Sequence, residues 1–233
     1  MNLEILYQDD YIIAINKPHG LLVHRSPIAT NTHEFAVQLL RNQIGKWVYP
    51  AHRLDRKTAG VLLFALNEDV NKMLQQQFYE QKIHKIYYAI VRGFTNKTGE
   101  INYPLKRDDG MVQEAITRYK TLSKSELDIS FGKHTTLRYS LVEVYPETGR
   151  THQIRKHFAH IFHPIIGDRP HGCNKQNKLF KEKWNMQTLL LHASEIHFTH
   201  PVFNKKIMVK APLHDEFKRM VSTLELKHDF YYN

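Results

Sequence analysis

Two adjoining stretches in the middle of the chain decide the fold, the polar His52-Arg53-Leu54-Asp55-Arg56-Lys57-Thr58-Ala59-Gly60 and the apolar Val61-Leu62-Leu63-Phe64-Ala65-Leu66. An apolar run of this length, bounded by polar residues, is typical of a strand that is buried on both faces of a sheet. We therefore predict a central strand directly after Gly60. The polar stretch should then lie at the edge of the sheet or in a cleft.

Asp55 lies in this polar stretch between Arg53 and Arg56. Two neighbouring guanidinium groups favour the charged form of a carboxylate, and an ionised carboxylate is a usable nucleophile. The alternative is a surface aspartate in a basic loop. The abrupt change to a buried strand favours a functional site, so Asp55 is the candidate catalytic residue.

Residue patterns on both sides of this centre predict further strands and helices. Residues 84–91 alternate, which places Tyr88 and Ile90 on one side of a strand and Tyr87 on the other. Met73, Leu74 and Phe78 predict an amphipathic helix, and apolar residues at helical spacing predict three further helices. These lie near residues 32–44, after Arg150 with Ile154, Phe158 and Ile161 buried, and after Pro212 with Leu213, Phe217 and Val221 buried.

Short strands are also predicted over residues 3–7, 11–16, 115–122 and 136–145. The sequence shows no internal repeat and no linker that divides it. We therefore predict one α+β domain over residues 1–233, with many antiparallel strands.

Composition narrows the class of protein. Lys and Arg total 33 against 23 acidic residues, for a net charge of +10, which indicates a polyanionic partner such as nucleic acid, although a solubilising surface has the same composition. The single cysteine, Cys173, excludes an intrachain disulfide. No apolar run reaches membrane-spanning length, and no secretory signal begins the chain. We expect a cytoplasmic protein that needs no membrane.

A second polar stretch, residues 147–157, collects cations at a predicted helix start, where backbone N–H groups favour anions. It indicates a possible anion site. Histidine pairs such as His157 with His160, and His160 with His163, have helical spacing, but no matching set of carboxylates or cysteines accompanies them. We expect no metal.

Together these stretches resemble the RluA family of pseudouridine synthases, and the likeness extends over nearly the whole chain. Four motifs occur in the family's order, and shorter matches lie at residues 191–193 and 200–201. The four are Asn16-Lys17-Pro18-His19-Gly20-Leu21-Leu22-Val23-His24, the polar stretch over residues 52–60, Lys85-Ile86-Tyr87-Tyr88-Ala89-Ile90-Val91-Arg92-Gly93, and residues 148–157 continuing to His163-Pro164-Ile165-Ile166-Gly167-Asp168.

The resemblance implies the pseudouridine synthase catalytic domain, with a mixed, largely antiparallel sheet, flanking helices and a central cleft. It implies isomerisation of a uridine in RNA without any cofactor, with Asp55 attacking either the base or the ribose. By analogy Arg53 fills the gap that the flipped uridine leaves, and Tyr87 stacks on its base and takes part in proton transfer. Arg155 is expected to pair with Asp55, and Leu191 to form an apolar wall.

Within the family the likeness is greatest to the branch that modifies uridine 65 of tRNA and lacks an RNA-binding S4 domain. Ala59 replaces the family's usual serine, and His171 replaces a common tyrosine. Three alternatives stay open at this point: a ribosomal RNA synthase, a basic RNA-binding protein without catalysis, and a metal-dependent nuclease. We expect a monomer with no obligate protein partner.

The basic segment over residues 169–183 lies between two motif regions, where we expect a loop that borders the cleft and contacts RNA phosphates. The alternative is a flexible, solvated insertion.

Overall fold

The computed structural model describes residues 1–25 and 34–228, and these form two compact units. The first unit comprises Met1–Lys85 and Ala193–Pro212, and the second comprises Ile86–His192 and the chain from Leu213 onward. The elements, in chain order, are β1 (Glu4–Gln8), β2 (Ile12–Lys17), α1 (Ala36–Ile44), β3 (Tyr49–Pro50), β4 (Ala59–Ala65), α2 (Glu68–Tyr79), β5 (His84–Arg92), β6 (Thr98–Asn102), β7 (Leu105–Lys106), β8 (Val112–Gln113), β9 (Ile116–Leu127), β10 (Leu137–Pro146), α3 (Gln153–His160), α4 (Asn174–Trp184), β11 (Leu191–Thr199), β12 (Lys206–Lys210) and α5 (Asp215–Thr223).

The first unit is built around β4, the strand predicted from the apolar run. Every residue of β4 is buried. β2 pairs with it antiparallel, and Ile15 lies opposite Leu62. β1 continues the sheet on the other edge of β2, and β11 follows β4 in the strand order, with β12 paired to β11. The prediction of a central buried strand is confirmed.

The second unit has its own run of antiparallel strands, in which β5 pairs with β10, β10 with β9, and β9 with β6. The two sides of β5 belong to different hydrophobic clusters. Ile90 and Tyr88 pack in a cluster that includes Phe217 of α5, whereas Ala89 and Tyr87 belong to a cluster that includes α3. The alternation predicted for this strand is confirmed.

The helical predictions agree with the structure where it describes them. α3 buries Ile154 and Phe158, with Ile161 packed against the same cluster, and α5 buries Phe217 and Val221. The helix predicted near residues 32–44 is α1, and residues 32 and 33 lie outside the described part of the chain. The predicted α+β class with a mixed, largely antiparallel sheet is confirmed.

The loop expected over residues 169–183 is wrong, because most of this segment is α4. Phe180 is fully buried beside Trp184, and the buried Gln176 accepts a hydrogen bond from the Tyr139 hydroxyl at 2.9 Å. α4 ends at Asn185, in the left-handed conformation. The helical pattern is hard to read because lysines and asparagines surround so few apolar residues. The alternative of a flexible, solvated insertion is wrong for the same reason.

No helix in the ranges 1–25 and 34–228 is long and apolar enough to cross a membrane.

Candidate active site

The candidate site residues belong to both units. Arg53 and Asp55 lie in the first unit, in the loop between β3 and β4, whereas Tyr87, Arg155 and Leu191 lie in the second.

The loop that carries Asp55 is tied to the core on both sides of it. Leu54 and Thr58 are buried, and the Thr58 N–H donates to the Asp55 carbonyl at 3.0 Å, which closes a tight turn. Asp55 itself is half-buried and Arg53 is exposed. A short turn with buried neighbours restricts where the carboxylate can lie.

Lys17, at the end of β2, is a fully buried cation that holds this loop to the preceding segment. Its ammonium donates to the carbonyl oxygens of Leu21 at 2.8 Å, Pro18 at 3.0 Å and Arg56 at 3.2 Å. Burial lowers the pKa of Lys17 to about 7, and the negative charge of Asp55 acts in the opposite direction. Lys17 therefore fixes the backbone one residue beyond Asp55 and places a titratable positive charge near its carboxylate.

Two further contacts bind the same segments. The Gly20 N–H donates to the Arg56 carbonyl at 2.9 Å, and the Arg56 Nε donates to the Gly20 carbonyl at 3.0 Å. At the far end of the loop, Gly60 has φ of 112°, and a Cβ built there would lie 2.0 Å from the Ala193 carbonyl oxygen. Only glycine fits this close approach of two backbones. The first two sequence motifs are therefore one structural feature around Asp55.

His52 has a structural role in this loop. Its Nε2 accepts the Leu63 N–H at 3.1 Å, so the ring is neutral at that nitrogen. Burial and the charge of Lys85 lower the pKa of His52 to about 3, and burial lowers the pKa of Lys85 to about 8. Near neutral pH the His52 ring is therefore uncharged, and it anchors the loop to β4 rather than donating a proton.

In the second unit, Arg155 forms a buried, two-pronged ion pair with Asp168. Arg155 Nε lies 2.8 Å from Asp168 Oδ2, and its second donor, Nη2, lies 2.8 Å from Oδ1. The Arg155 side chain is 6% exposed and that of Asp168 is 1% exposed. Matched forks of this kind fix the plane of the guanidinium as well as its position. The predicted pairing of Arg155 with Asp55 stays a prediction.

The loop that carries Asp168 is braced by α4. The Asn177 side chain donates to the Asp168 carbonyl at 2.7 Å and accepts the Gly167 N–H at 3.0 Å. Gly167 has φ of 82°, and a Cβ there would lie 1.9 Å from the Thr188 carbonyl oxygen. The Gly167-Asp168 pair is therefore held by backbone packing and by one asparagine from the helix that replaces the expected loop.

His171, which departs from the family pattern, joins the same network. Its N–H lies 3.3 Å from Asp168 Oδ1, and its ring Nε2 lies 2.9 Å from Nδ1 of His152. His152 precedes α3 in the left-handed conformation, with φ of 57°. Burial lowers the pKa of His171, and the charge of Asp168 opposes this shift. The substitution therefore keeps a polar side chain in contact with the start of α3.

Tyr87 and Leu191 meet in one apolar cluster. Leu191 is 3% exposed in the cluster that also contains Ala89 and Ile154, and the half-buried Tyr87 packs against this cluster. Tyr87 therefore has apolar neighbours, and the roles expected of Tyr87 and Leu191 at the site stay predictions.

The histidines at helical spacing have other partners. Nδ1 of the fully buried His157 lies 2.9 Å from the Thr117 hydroxyl oxygen, His160 stacks on Tyr103, and His163 bonds the Arg92 carbonyl at 2.8 Å. In the described part of the chain, no three His, Cys, Asp or Glu side chains group as metal ligands.

Reasoning from the sequence missed the roles of Lys17, which holds the Asp55 turn, of Asp168, which pairs with Arg155, and of Asn177, which braces the Asp168 loop. Lys17 and Asp168 lie within the sequence motifs, and a lysine that ends a strand as apolar as Ile12–Lys17 was a usable signal. The sequence gives no such signal for Asn177, because this residue lies among the polar residues of α4.

Known proteins are similar to this chain over most of its length. The family model described as RNA pseudouridylate synthase matches residues 11–160. The chain is 45% identical over 236 aligned positions to tRNA pseudouridine synthase C of Vibrio parahaemolyticus, covering 97% of this chain and 96% of that one. It is 46% identical to the protein of the same name from Haemophilus ducreyi, with both chains covered completely.

Solved structures show a similar fold. Human RNA Pseudouridylate Synthase Domain Containing 4 has a TM-score of 0.75 at 25% identity, covering 97% of this chain and 94% of that one. Human RNA Pseudouridylate Synthase Domain Containing 1 has a TM-score of 0.72 at 21% identity, covering 98% and 96%, and supports the fold alone.

Proposed function

Because the chain belongs to the RNA pseudouridylate synthase family, we propose that it isomerises a uridine of tRNA to pseudouridine, and that this is uridine 65. The observation that carries the proposal is near-complete coverage by relatives named tRNA pseudouridine synthase C, at 45% and 46% identity. The position within tRNA rests on the branch of the family that the motifs resemble most.

The proposed reaction breaks the bond between N1 of uracil and C1′ of the ribose and forms a bond between C5 and C1′. A proton leaves C5 and N1 gains one, so the nucleoside is neither oxidised nor changed in mass. Asp55 is the proposed nucleophile. Its carboxylate attacks either the base or the ribose, and the covalent intermediate holds that fragment after the N1–C1′ bond breaks. No cofactor is needed for this balance.

Lys17 is proposed to serve this step by position. Its ammonium is bonded to the Arg56 carbonyl at 3.2 Å, so the Asp55 turn is held from one side while Thr58 closes it from the other. A nucleophile held by its own backbone needs less reorganisation when the substrate binds.

A stacked uridine cannot reach a carboxylate in a protein cleft, so we propose that the base is flipped out of the RNA. Tyr87 is the proposed stacking residue and Leu191 its apolar support, since both belong to one cluster. Arg53, which is exposed, is proposed to occupy the gap left in the RNA. Arg155, oriented by Asp168, is proposed to pair with Asp55.

RNA is the proposed partner. Recognition by the shape and phosphates of folded tRNA suits a basic protein, because paired RNA exposes little sequence information in its deep groove. We further propose that the protein acts as a monomer in the cytoplasm, with residues 1–233 as one catalytic domain, and without an obligate protein partner.

The test incubates the purified protein with unmodified tRNA, digests the RNA and measures pseudouridine by chromatography and mass spectrometry. Pseudouridine should form in tRNA, and a tRNA with cytidine at position 65 should give none. Asp55→Asn should retain tRNA binding and lose activity by more than about 10⁴-fold, because a neutral amide cannot act as the nucleophile.

Asp69→Asn is the matched control, since Asp69 is an exposed carboxylate on α2 and its replacement should leave turnover unchanged. Modification of ribosomal RNA but not tRNA would overturn the choice of substrate. Binding of tRNA without any product would leave an RNA-binding protein, and substantial turnover by Asp55→Asn would remove the nucleophile assignment.

A further inference from the structure

A cavity of about 350 Å³ lies in the second unit, where the end of β5, the loop between β9 and β10, and the first turn of α4 meet. The motif residues Arg92 and Gly93, to which the proposed reaction gives no role, form part of it. The full lining is Arg92, Gly93, Phe131, Lys133, His134, Thr135, Thr136, Leu137, Arg138 and Gln176.

The lining of this cavity is strongly basic. Arg92, Lys133 and Arg138 carry positive charge, His134 adds a titratable ring, and none of the described aspartates or glutamates lines the cavity. Arg138 is occupied by Glu126, with Nε to Oε1 at 3.0 Å. Among the residues in the ranges 1–25 and 34–228, no carboxylate forms an ion pair with Arg92 or Lys133.

Arg92 is the unusual member, because it is half-buried. Its backbone is fixed, with the N–H donating to Pro164 at 3.0 Å and the carbonyl accepting from His163. Its guanidinium contacts the Cys173 sulfur, which lies 3.9 Å from Nη1. Withdrawing a guanidinium from water without a carboxylate is costly, and an anion that enters the cavity offsets this cost.

α4 adds to the positive potential. The helix begins directly after Cys173, which makes no side-chain cap bond, so N–H groups of its first turn remain as donors. Gln176, in that turn, lines the cavity and is oriented by the Tyr139 hydroxyl at 2.9 Å. A helix start and a half-buried arginine therefore meet at one place.

We propose that this cavity binds a phosphate of the RNA backbone, with Arg92 and Lys133 as the principal contacts. The proposal rests on the proposed function, because it takes RNA as the partner. The cavity is at the small end of the range for ligand pockets, and pockets for free small molecules bury most of the ligand. Here Lys133, His134 and Arg138 are exposed, which suits one phosphate of a long polyanion.

The test compares wild type with Arg92→Gln, Lys133→Gln and the double variant. Affinity for tRNA is measured over a series of salt concentrations. The double variant should bind several-fold more weakly and lower the slope of log affinity against log salt by about 0.7–0.9, the value for one bound phosphate.

Arg118→Gln is the matched control. Arg118 lies in the same unit but is engaged by Glu100 at 2.8 Å and Glu147 at 2.6 Å, so its removal should leave the slope unaltered. The Lys133 variant guards against misfolding, since Lys133 is exposed and its replacement should leave the melting temperature unchanged while lowering affinity.

A second arm titrates wild type and Arg92→Gln with inorganic phosphate. Weak competition with tRNA in wild type that Arg92→Gln reduces supports the proposal. A stoichiometric phosphate site that Arg92→Gln abolishes, with an unaltered salt slope for tRNA, would instead assign the cavity to a free anion. If the double variant leaves the salt slope unaltered while wild type makes pseudouridine, the proposed role of the cavity is wrong and the proposed function stands. A lowered slope without any product overturns the proposed reaction alone.

Discussion

The ion pair between Arg155 and Asp168 makes a quantitative prediction about stability. Asp168→Asn removes the charge while nearly preserving side-chain volume. Both side chains are almost fully buried, at 6% and 1% exposure, so solvent screening reduces the effect little. Breaking a buried pair of this kind costs about 3–5 kcal/mol. A chain of this size loses about 2–4 °C of melting temperature per kcal/mol, which predicts a decrease of about 6–20 °C.

The assay is thermal and urea unfolding of wild type, Asp168→Asn, Arg155→Met and the double variant. The double-variant cycle should show strong coupling, because each single change leaves the other charge buried. Glu126→Gln is the control: it breaks the exposed Arg138–Glu126 pair, whose side chains are 56% and 38% exposed, and should cost less than about 1 kcal/mol. Equal decreases for Asp168→Asn and Glu126→Gln, or additive single changes, would refute the reasoning.

Four further results are expected. Tyr87→Phe should keep stacking but lower turnover; full activity would exclude proton transfer through the hydroxyl. As the pH rises from about 7 to 10.5, the unfolding free energy of wild type should rise relative to that of Lys17→Met. In this range Lys17 is protonated in the unfolded state but has lost its proton in the folded state. Urea titrations that show a pH-independent difference between the two proteins would contradict this. EDTA should leave turnover unchanged once tRNA folding is controlled for, and restoration specifically by zinc would reverse that view. Glutamine at three lysines of α4 should weaken tRNA binding and lower its salt slope by about 0.7–0.9 for each phosphate that these lysines bind, and an unaltered slope would exclude this surface. These lysines are Lys175, Lys178 and Lys181.

Elements with a regular apolar period could be predicted from the sequence. The run after Gly60 is buried throughout β4, and the alternation of β5 divides Tyr88 from Tyr87 as expected. These patterns are local, since neighbouring side chains report directly which face of a strand or helix is buried. α4 was missed because two buried residues, Gln176 and Phe180, anchor it within an otherwise polar segment.

The candidate site was also predictable from the sequence only in part. The chemical character of the turn around Asp55 can be read from its charged neighbours, and the four sequence motifs indicate the reaction through their resemblance to a family. The roles assigned to Arg53, Tyr87 and Leu191 stay predictions. The partner of Arg155 could not be read, since Asp168 lies in a loop beyond the end of α3, and periodicity carries no information about which loop returns to a helix.

The sequence by itself determined which segments are buried, which carboxylate is set among cations, and which family the chain resembles, because these follow from residue type and local order. Only the tertiary structure decided that Lys17 holds the Asp55 turn through the Arg56 carbonyl, and that Asn177 braces the Asp168 loop. Lys17 and Arg56 are 39 residues apart in the chain. Their contact exists because packed strands bring distant backbone carbonyls together, and a buried ammonium must find such acceptors to offset its withdrawal from water.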